Sequence, residues 1–389
     1  MIETRRHLHA HPEPSGHEQE TTAYIVDQLT QAGLSPRVGR NGLGLIVDVD
    51  LGNPVPNSPR IALRADIDAL KIVDAKTTSY ASRREGLCHA CGHDAHTTIA
   101  LGAALTAQRL SASYADLSGP NGPEGFRLRF VFQPAEETAE GAQWMVEQGA
   151  VDDVTAILGC HVDPERPLGT VGIRYGALTA HCDEVEIVVE GRGGHAARPH
   201  HTQDPIAAAV SLASALFQFL PRSVDSRSPA VFTIGKFSGG TLSNVIPGRV
   251  EILGTLRTLD QEVRQRLKDR IESIVHGVKE ASGTSIHLRY FEPLNAVIND
   301  PRCTAALEES SRRVLGNEGV QSISLASMGG EDFSAYLTRV PGSMLRLGSA
   351  PPGFAAPFLH SPDFDVDERV LAIGSRILLR AALLLAYPK

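Results

Sequence analysis

Residues 18–32 carry apolar side chains at helical spacing and stop at Gly33, which predicts a helix. Short β-branched apolar runs at 44–51 and 60–66 are separated by the turn LGNPVPNSPR and predict two strands. A small-residue helix is predicted over 97–109. Beyond the Gly/Pro stretch SGPNGPEG, the run RLRFVFQ predicts a strand, followed by a helix over 141–149 and strands over 155–161 and 169–175. Strands alternating with helices indicate an α/β fold, with a mostly parallel sheet covered on both faces.

The rhythm then changes. Residues 184–190 alternate as a strand. Residues 204–220 predict a helix, with Asp204 as its N-cap and Pro205 at its first position. Strands are predicted over 231–237 and 249–256, joined by FSGGTLSNVIPG. A long helix over 259–281 places Val263, Leu267, Ile271, Ile274 and Val278 on one face, and a strand over 286–291 follows. The order β-α-β-β-α-β is the split βαβ, or ferredoxin-like, unit. The α/β style returns afterwards, with helices over 301–315 and 367–386. The expected organisation is a discontinuous catalytic domain (1–177 and 294–389) with an α+β domain inserted at 178–293.

Composition narrows the function. A chain of 389 residues, 42% hydrophobic and 21% charged, has ordinary globular usage. A formal charge of −8 and the lack of any Lys/Arg-rich run give no reason to expect nucleic acid or an anionic membrane as partner. The polar N-terminus does not read as a signal peptide, and no apolar run approaches the ~20 residues of a membrane span. The cysteines at 88, 91, 160, 182 and 303 are odd in number and suggest reduced thiols and a cytoplasmic setting.

Four clusters carry candidate chemistry. In HACGHDAH, Cys91 and His93 flank Gly92, and a turn can aim a thiolate and an imidazole at one divalent ion. The ordinary alternative is a buried Cys and two surface His at a helix start. Glu136 and Glu137 follow Pro134 at the end of RLRFVFQ. Adjacent carboxylates at a strand's C-terminal edge call for a cation, and one can ligate while the other serves as a base. By itself the pair also fits a solvated helix N-terminus. His161 ends TAILGCH, with Cys160 facing the core, and His360 precedes Ser-Pro near the end of the chain. Together the clusters supply Cys91, His93, Glu137, His161 and His360. Five protein ligands are too many for one catalytic Zn²⁺ but suit two ions with a shared ligand, for which a thiolate could serve.

At this point the chain resembles the metallo-aminoacylase and carboxypeptidase family, in its amidohydrolase branch of hippurate, N-acyl-amino-acid and auxin-conjugate hydrolases. The matching segments are RRHLHAHPEPSGHE, RADIDAL, HACGHDAH, FQPAEE, GRGGHAARPHHTQDP, NVIPG, GGEDF and LHSPDFDVD, in that order along essentially the whole chain. The resemblance implies a di-metal catalytic domain with an inserted lid that also serves in dimerisation, so a homodimer or higher homo-oligomer is expected. It implies the same five ligands, with Glu136 as general base, and the thiolate, imidazole and carboxylate donors suit Zn, Mn, Co or Ni as the ions. It implies that His195 steadies the oxyanion in a neighbouring subunit's site and that Asn244 and Arg257 hold the substrate carboxylate. Two departures are Lys71, where relatives continue with Pro, and Cys88, where they have Met.

The expected reaction is cleavage of the amide bond of an N-acyl (acetyl, benzoyl or similar) amino acid by a hydroxide held between the ions. Asp68 could orient a ligand histidine from behind, and the Gly329-Gly330 pair could let backbone N–H groups approach substrate, with a turn as the plain alternative. A carboxypeptidase or dipeptidase would use the same site. A non-catalytic relative would need no base beside its ligand.

Overall fold

The computed structural model describes residues 1–118, 125–351 and 358–387. Their contacts define two compact units. The first comprises Met1–Leu178, Val297–Leu325 and Asp332–Lys389; the second comprises Thr179–Ala296 with Ala326–Glu331. The sequence reading gives 326–331 to the catalytic domain. These residues group with the second unit because Ala180 N donates to Gly329 O at 3.0 Å and Arg257 Nη1 to Met328 O at 2.9 Å.

The first unit is built on an eight-stranded sheet, ordered Arg37–Val38, Leu45–Leu51, Phe126–Gln133, Arg60–Asp66, Ala156–Pro167, Gly342–Ala350, Val171–Ile173, Val320–Ser322. The four inner strands run parallel, and their neighbours Leu45–Leu51 and Val171–Ile173 lie antiparallel to them. Side chains two apart share a face, and this parity sorts residues between two cores. Phe126, Leu128, Phe130 and Phe132 enter one core while Val131 enters the other. Leu158 and Cys160 face the first core and Ile157 the second, so His161 has the parity opposite to Cys160.

The first core is closed by the helices His93–Ser118 and Val370–Ala386. They approach closely at Gly374, where a Cβ would stand 2.7 Å from Ile99 Cδ1. The helix predicted over 97–109 starts earlier, at His93. The polar, glycine-containing HACGHDAH shows no apolar periodicity, yet His93, Asp94 and His96 are buried, so the first turn hides polar groups rather than apolar ones. The strand predicted over 169–175 is confined to Val171–Ile173, because Thr170 N bonds back to Pro167 O in a turn.

Helix Ile2–Ala10 is tied to this start by charge. Arg5 is fully buried, with Nε 2.8 Å from Asp94 and Nη2 2.7 Å from Asp365, and His9 Nδ1 is 2.7 Å from Asp94. Burial alone would raise Asp94, but Arg5 and His9 override it and hold the carboxyl well below its ordinary range. Removing one member of such a buried pair strands the other. Arg5→Ala should therefore cost about 3–5 kcal/mol, read as a lower melting temperature and a lower denaturation midpoint; an unchanged midpoint would count against the pair.

The second unit has a four-stranded antiparallel sheet, ordered Ala230–Gly239, Arg249–Thr258, His181–Glu190, Ser285–Leu294. Helices Pro205–Phe219 and Gln261–Ser282 pack into a single apolar core on it. Asp204 and Asp260 cap them by accepting from Ile206 and Ala207 N, and from Glu262 and Val263 N. Among the described residues, Pro205–Arg222 alone is long and apolar enough to cross a membrane. Its Ala208, Ala209, Leu212 and Leu216 pack into this unit's core.

Candidate metal centre and active site

The inner parallel strands of the first unit bring their C-terminal ends to one edge of the sheet, where ligands of open α/β sheets collect. Asp68 follows Arg60–Asp66, and Glu136 and Glu137 follow Phe126–Gln133. Cys91 and His93 sit on either side of Gly92, whose φ is 86° and where a Cβ would stand 2.3 Å from Val162 Cγ2. Only glycine makes that turn against Val162. His360 also has a left-handed backbone, φ 63°, and its N–H donates to Ala90 O at 2.8 Å, next to Cys91.

These elements gather the five predicted ligands. Cys91 Sγ lies 3.4 Å from His161 Nε2, and His360 Nε2 lies 3.6 Å from Glu137 Oε1. His93 Nε2 is 3.8 Å from both Glu136 Oε2 and Glu137 Oε1. Two ligand atoms ~2.1 Å from one tetrahedral ion stand roughly 3.4 Å apart, so the spacing suits shared coordination. The trios Cys91–His93–His161, Cys91–Glu137–His360 and His93–Glu136–Glu137 each keep their ligand atoms within 4.8 Å of one another. Cys91, His93 and Glu137 each belong to two of them.

The donor set fits divalent ions on a further ground. His93 Nε2 and Glu137 Oε1 are buried with no hydrogen-bond partner, a costly state unless a cation takes them up. Their orientation is fixed from behind. His93 Nδ1 is 3.0 Å from Asp68 Oδ1, and His161 Nδ1 is 2.7 Å from Val162 O. Each ring thus donates through Nδ1 and turns the Nε2 lone pair toward the cluster. Asp68, read from sequence as an orienting residue, makes this contact and also accepts from Glu137 N at 3.0 Å and Ser15 Oγ at 2.7 Å. Burial drives the Cys91 thiol far above its ordinary range and raises Glu137. A divalent cation reverses both tendencies, since it binds the thiolate and the carboxylate.

Behind the candidate ligands lies a network in which His96, read from sequence as a supporting or helix-start residue, is joined by Asp66 and Arg64. His96 Nδ1 is 2.7 Å from Asp66 Oδ1, and Val162 N donates to His96 Nε2 at 2.9 Å. Both nitrogens are thus used, which makes His96 a prop for the His161 strand. Arg64, 2% exposed, donates to Asp66, Gln133 and Asp332 at 2.7, 2.7 and 2.9 Å. The signal was present: Arg64 and Asp66 interrupt an otherwise apolar strand, and charges there are rarely buried unpaired. A separate trio, His9–Asp74–Cys88, already has its cation in Lys76 Nζ, 2.9 Å from Asp74 and 3.5 Å from Cys88. Burial pushes the Cys88 thiol up to about 11, so it is a protonated core group and a poor nucleophile.

The remaining predicted residues belong to the second unit. His195 pairs with Val245 in a two-stranded ribbon, and Ala196 N donates to Asn244 O at 3.1 Å, which brings His195 and Asn244 together. Ala197 N donates to His195 Nδ1 at 3.1 Å, which leaves the proton on Nε2 as an outward donor. Arg257 donates to Met328 O, two residues before Gly330. At Gly330 a Cβ would stand 2.9 Å from Leu294 Cδ1 and 3.3 Å from Cys182 Sγ, so close packing within this unit is one reason for glycine there.

Comparison with known proteins accords with this centre. The model of peptidase family M20/M25/M40 matches residues 62–384. A protein of Synechocystis described as a probable hydrolase is 40% identical over 98% of this chain and 94% of its own length. An N-acetyl-L-cysteine deacetylase of Bacillus subtilis is 37% identical over 98% of this chain and 87% of its own. The crystal structure of the B. subtilis YXEP protein, described as a dinuclear metal-binding peptidase, matches at a TM-score of 0.82 and 34% identity, covering 99% of this chain and 97% of that one. The chain belongs to peptidase family M20/M25/M40.

Proposed function

We propose that this protein is a metal-dependent amidohydrolase that cleaves N-acyl amino acids to a carboxylic acid and a free amino acid. The observation that carries the reading is the donor set with a second carboxylate beside it: Cys91, His93, Glu137, His161 and His360 surround the orphaned His93 Nε2 and Glu137 Oε1, and Glu136 stands next to them. Cys91, which joins His93 and His161 to Glu137 and His360 and could offer a thiolate to two ions, would be the shared ligand. A structural metal site needs no base and tends to be closed. The deacetylase name of a relative of this length supports the acyl amino acid as substrate.

Two divalent ions held by these residues would polarise the amide carbonyl and acidify water. Glu136 accepts the proton of the attacking water and returns it to the leaving amine. The partner subunit's His195 donates through Nε2 to the tetrahedral oxyanion. Asn244 and Arg257 hold the substrate carboxylate, and the Gly330 backbone flanks it. The second unit then serves as lid and dimer contact. Five free cysteines suit the reducing cytoplasm.

The test is a substrate panel after reconstitution with Zn²⁺, Mn²⁺, Co²⁺ and Ni²⁺ in turn. N-acetyl and N-benzoyl amino acids should turn over faster than dipeptides with at least one metal. Faster dipeptide cleavage would make the protein a peptidase, and no turnover of any amide in the fully loaded protein would overturn the reading.

A further inference from the structure

The motif PEPSGHE, residues 12–18, supplies none of the candidate ligands, yet its Glu18 bonds to the loop that carries the base and its Ser15 to Asp68, which accepts from that loop's Glu137 N. Glu18 is fully buried, one residue before helix Gln19–Gln31. Its Oε1 accepts from Ala135 N at 2.7 Å and from Gly16 N at 3.0 Å. Ala135 is itself buried and has a left-handed backbone, φ 51°. That conformation costs roughly 1–2 kcal/mol for a residue with a Cβ, so something must hold it. On the other side of Glu136, Glu137 N donates to Asp68 Oδ2 at 3.0 Å, and Ser15 Oγ donates to the same oxygen at 2.7 Å. The backbone N–H groups immediately before and after Glu136 are thus each taken by a buried carboxylate.

We infer that Glu18 is a positioning residue for the reaction: its carboxylate holds Ala135 in the left-handed conformation and, with Asp68 on the far side, brackets Glu136 in the geometry of a base. The inference rests on the reading of Glu136 as the base. Two further observations agree with it. Glu18 Oε2 is buried and makes no hydrogen bond, so the side chain satisfies its surroundings through one oxygen only, the one that takes Ala135 N. Burial, partly offset by the Ala135 N–H, raises the Glu18 carboxyl to about 7. A buried carboxyl carrying that penalty is poorly explained as a helix cap, since its side chain makes no cap bond to the helix it precedes. The structure thus gives a role to a motif remote in sequence from every ligand.

The test measures kcat, KM and bound metal for the fully metal-loaded enzyme. Glu18→Ala should lower kcat by roughly 10- to 100-fold, the scale of a misplaced catalytic group, with KM within about twofold and metal content at the wild-type level. Glu18→Gln keeps an acceptor for Ala135 N and should recover most of the kcat. Glu18→Asp is a methylene short of the N–H and should not. In a Glu136→Gln background, Glu18→Ala should cost little more, because the group it positions is already disabled. Wild-type kcat in Glu18→Ala, equal losses in the Gln and Asp variants, or a full additive loss beside Glu136→Gln would each overturn the inference. Should Glu18→Ala fail to fold, the Gln and Asp variants decide it. Full activity of Glu136→Gln alone would instead fail the reading of the base, and the two failures are thereby distinguished.

Discussion

Glu136→Gln should lower kcat by ~10²–10⁴-fold, the usual contribution of a general base, while the protein keeps its metal. Glutamine preserves the size and the hydrogen-bonding reach of the side chain but cannot take up a proton near neutral pH. The geometry makes the separation of roles measurable. Glu136 Oε2 lies 3.8 Å from His93 Nε2, within reach of the metal cluster, but Cys91, His93, Glu137, His161 and His360 already complete two trios without it. Elemental analysis beside steady-state kinetics settles the assignment. Retained metal with lost turnover marks a base, loss of metal would make Glu136 a ligand, and unchanged turnover would remove it from the chemistry. The same variant tests His195. Mixed with His195→Ala chains, Glu136→Gln chains should form heterodimers in which one site has an intact Glu136 and an intact donor from its neighbour. Partial recovery of activity is expected, and none would confine His195 to its own subunit or to no role.

The sequence revealed most about the site where chemistry is concentrated in short strings, and least where it is spread over the fold. Cys91, Glu137, His161 and His360 lie up to 269 residues apart (360 − 91), and each has an ordinary local explanation. The parallel inner strands and their parity place Glu137 and His161, whereas the turn at Gly92 and the bond from His360 N to Ala90 O bring in Cys91 and His360. The helix predicted from residue 97 begins four residues earlier (97 − 93), because its first turn buries His93, Asp94 and His96 in polar contacts that hydrophobic periodicity cannot register. The Arg64–Asp66–Asp332 network is not legible in the sequence for a related reason. Its partners are contributed by RADIDAL and GGEDF, and local spacing does not pair an arginine with an aspartate 268 residues away. The brackets around Glu136 need both the left-handed Ala135 and the distant Glu18, and neither residue type announces that use. The segment 326–331 shows the limit for organisation: a backbone bond from Ala180 N to Gly329 O moves it from one unit to the other, and backbone bonds leave no trace in residue type.

Cys91→Ala should remove metal more completely than loss of any other single ligand. Cys91 is the one member common to the trios with His93–His161 and with Glu137–His360, so as the proposed shared ligand it would serve both ions. Losing an outer hydrogen-bond partner of a ligand costs roughly 10–100-fold in metal affinity, and a shared first ligand should cost more. The protein should still fold, because the wild-type thiol is buried beside Gly92 in a shell of polar groups and adds little apolar packing of its own. The buried environment sharpens the comparison. Burial drives the Cys91 thiol strongly toward its protonated form, and a bound cation would draw out the thiolate. Cys160→Ala is the matched control. Cys160 is equally buried, its thiol raised by burial to about 12, and it packs in the apolar core with parity opposite to His161. Cys160→Ala should lose stability but keep its metal, whereas Cys91→Ala should lose metal, turnover and the stabilisation that added metal confers. Equal metal content in the two variants would mean that the imidazoles and Glu137 hold the ions without a thiolate bridge.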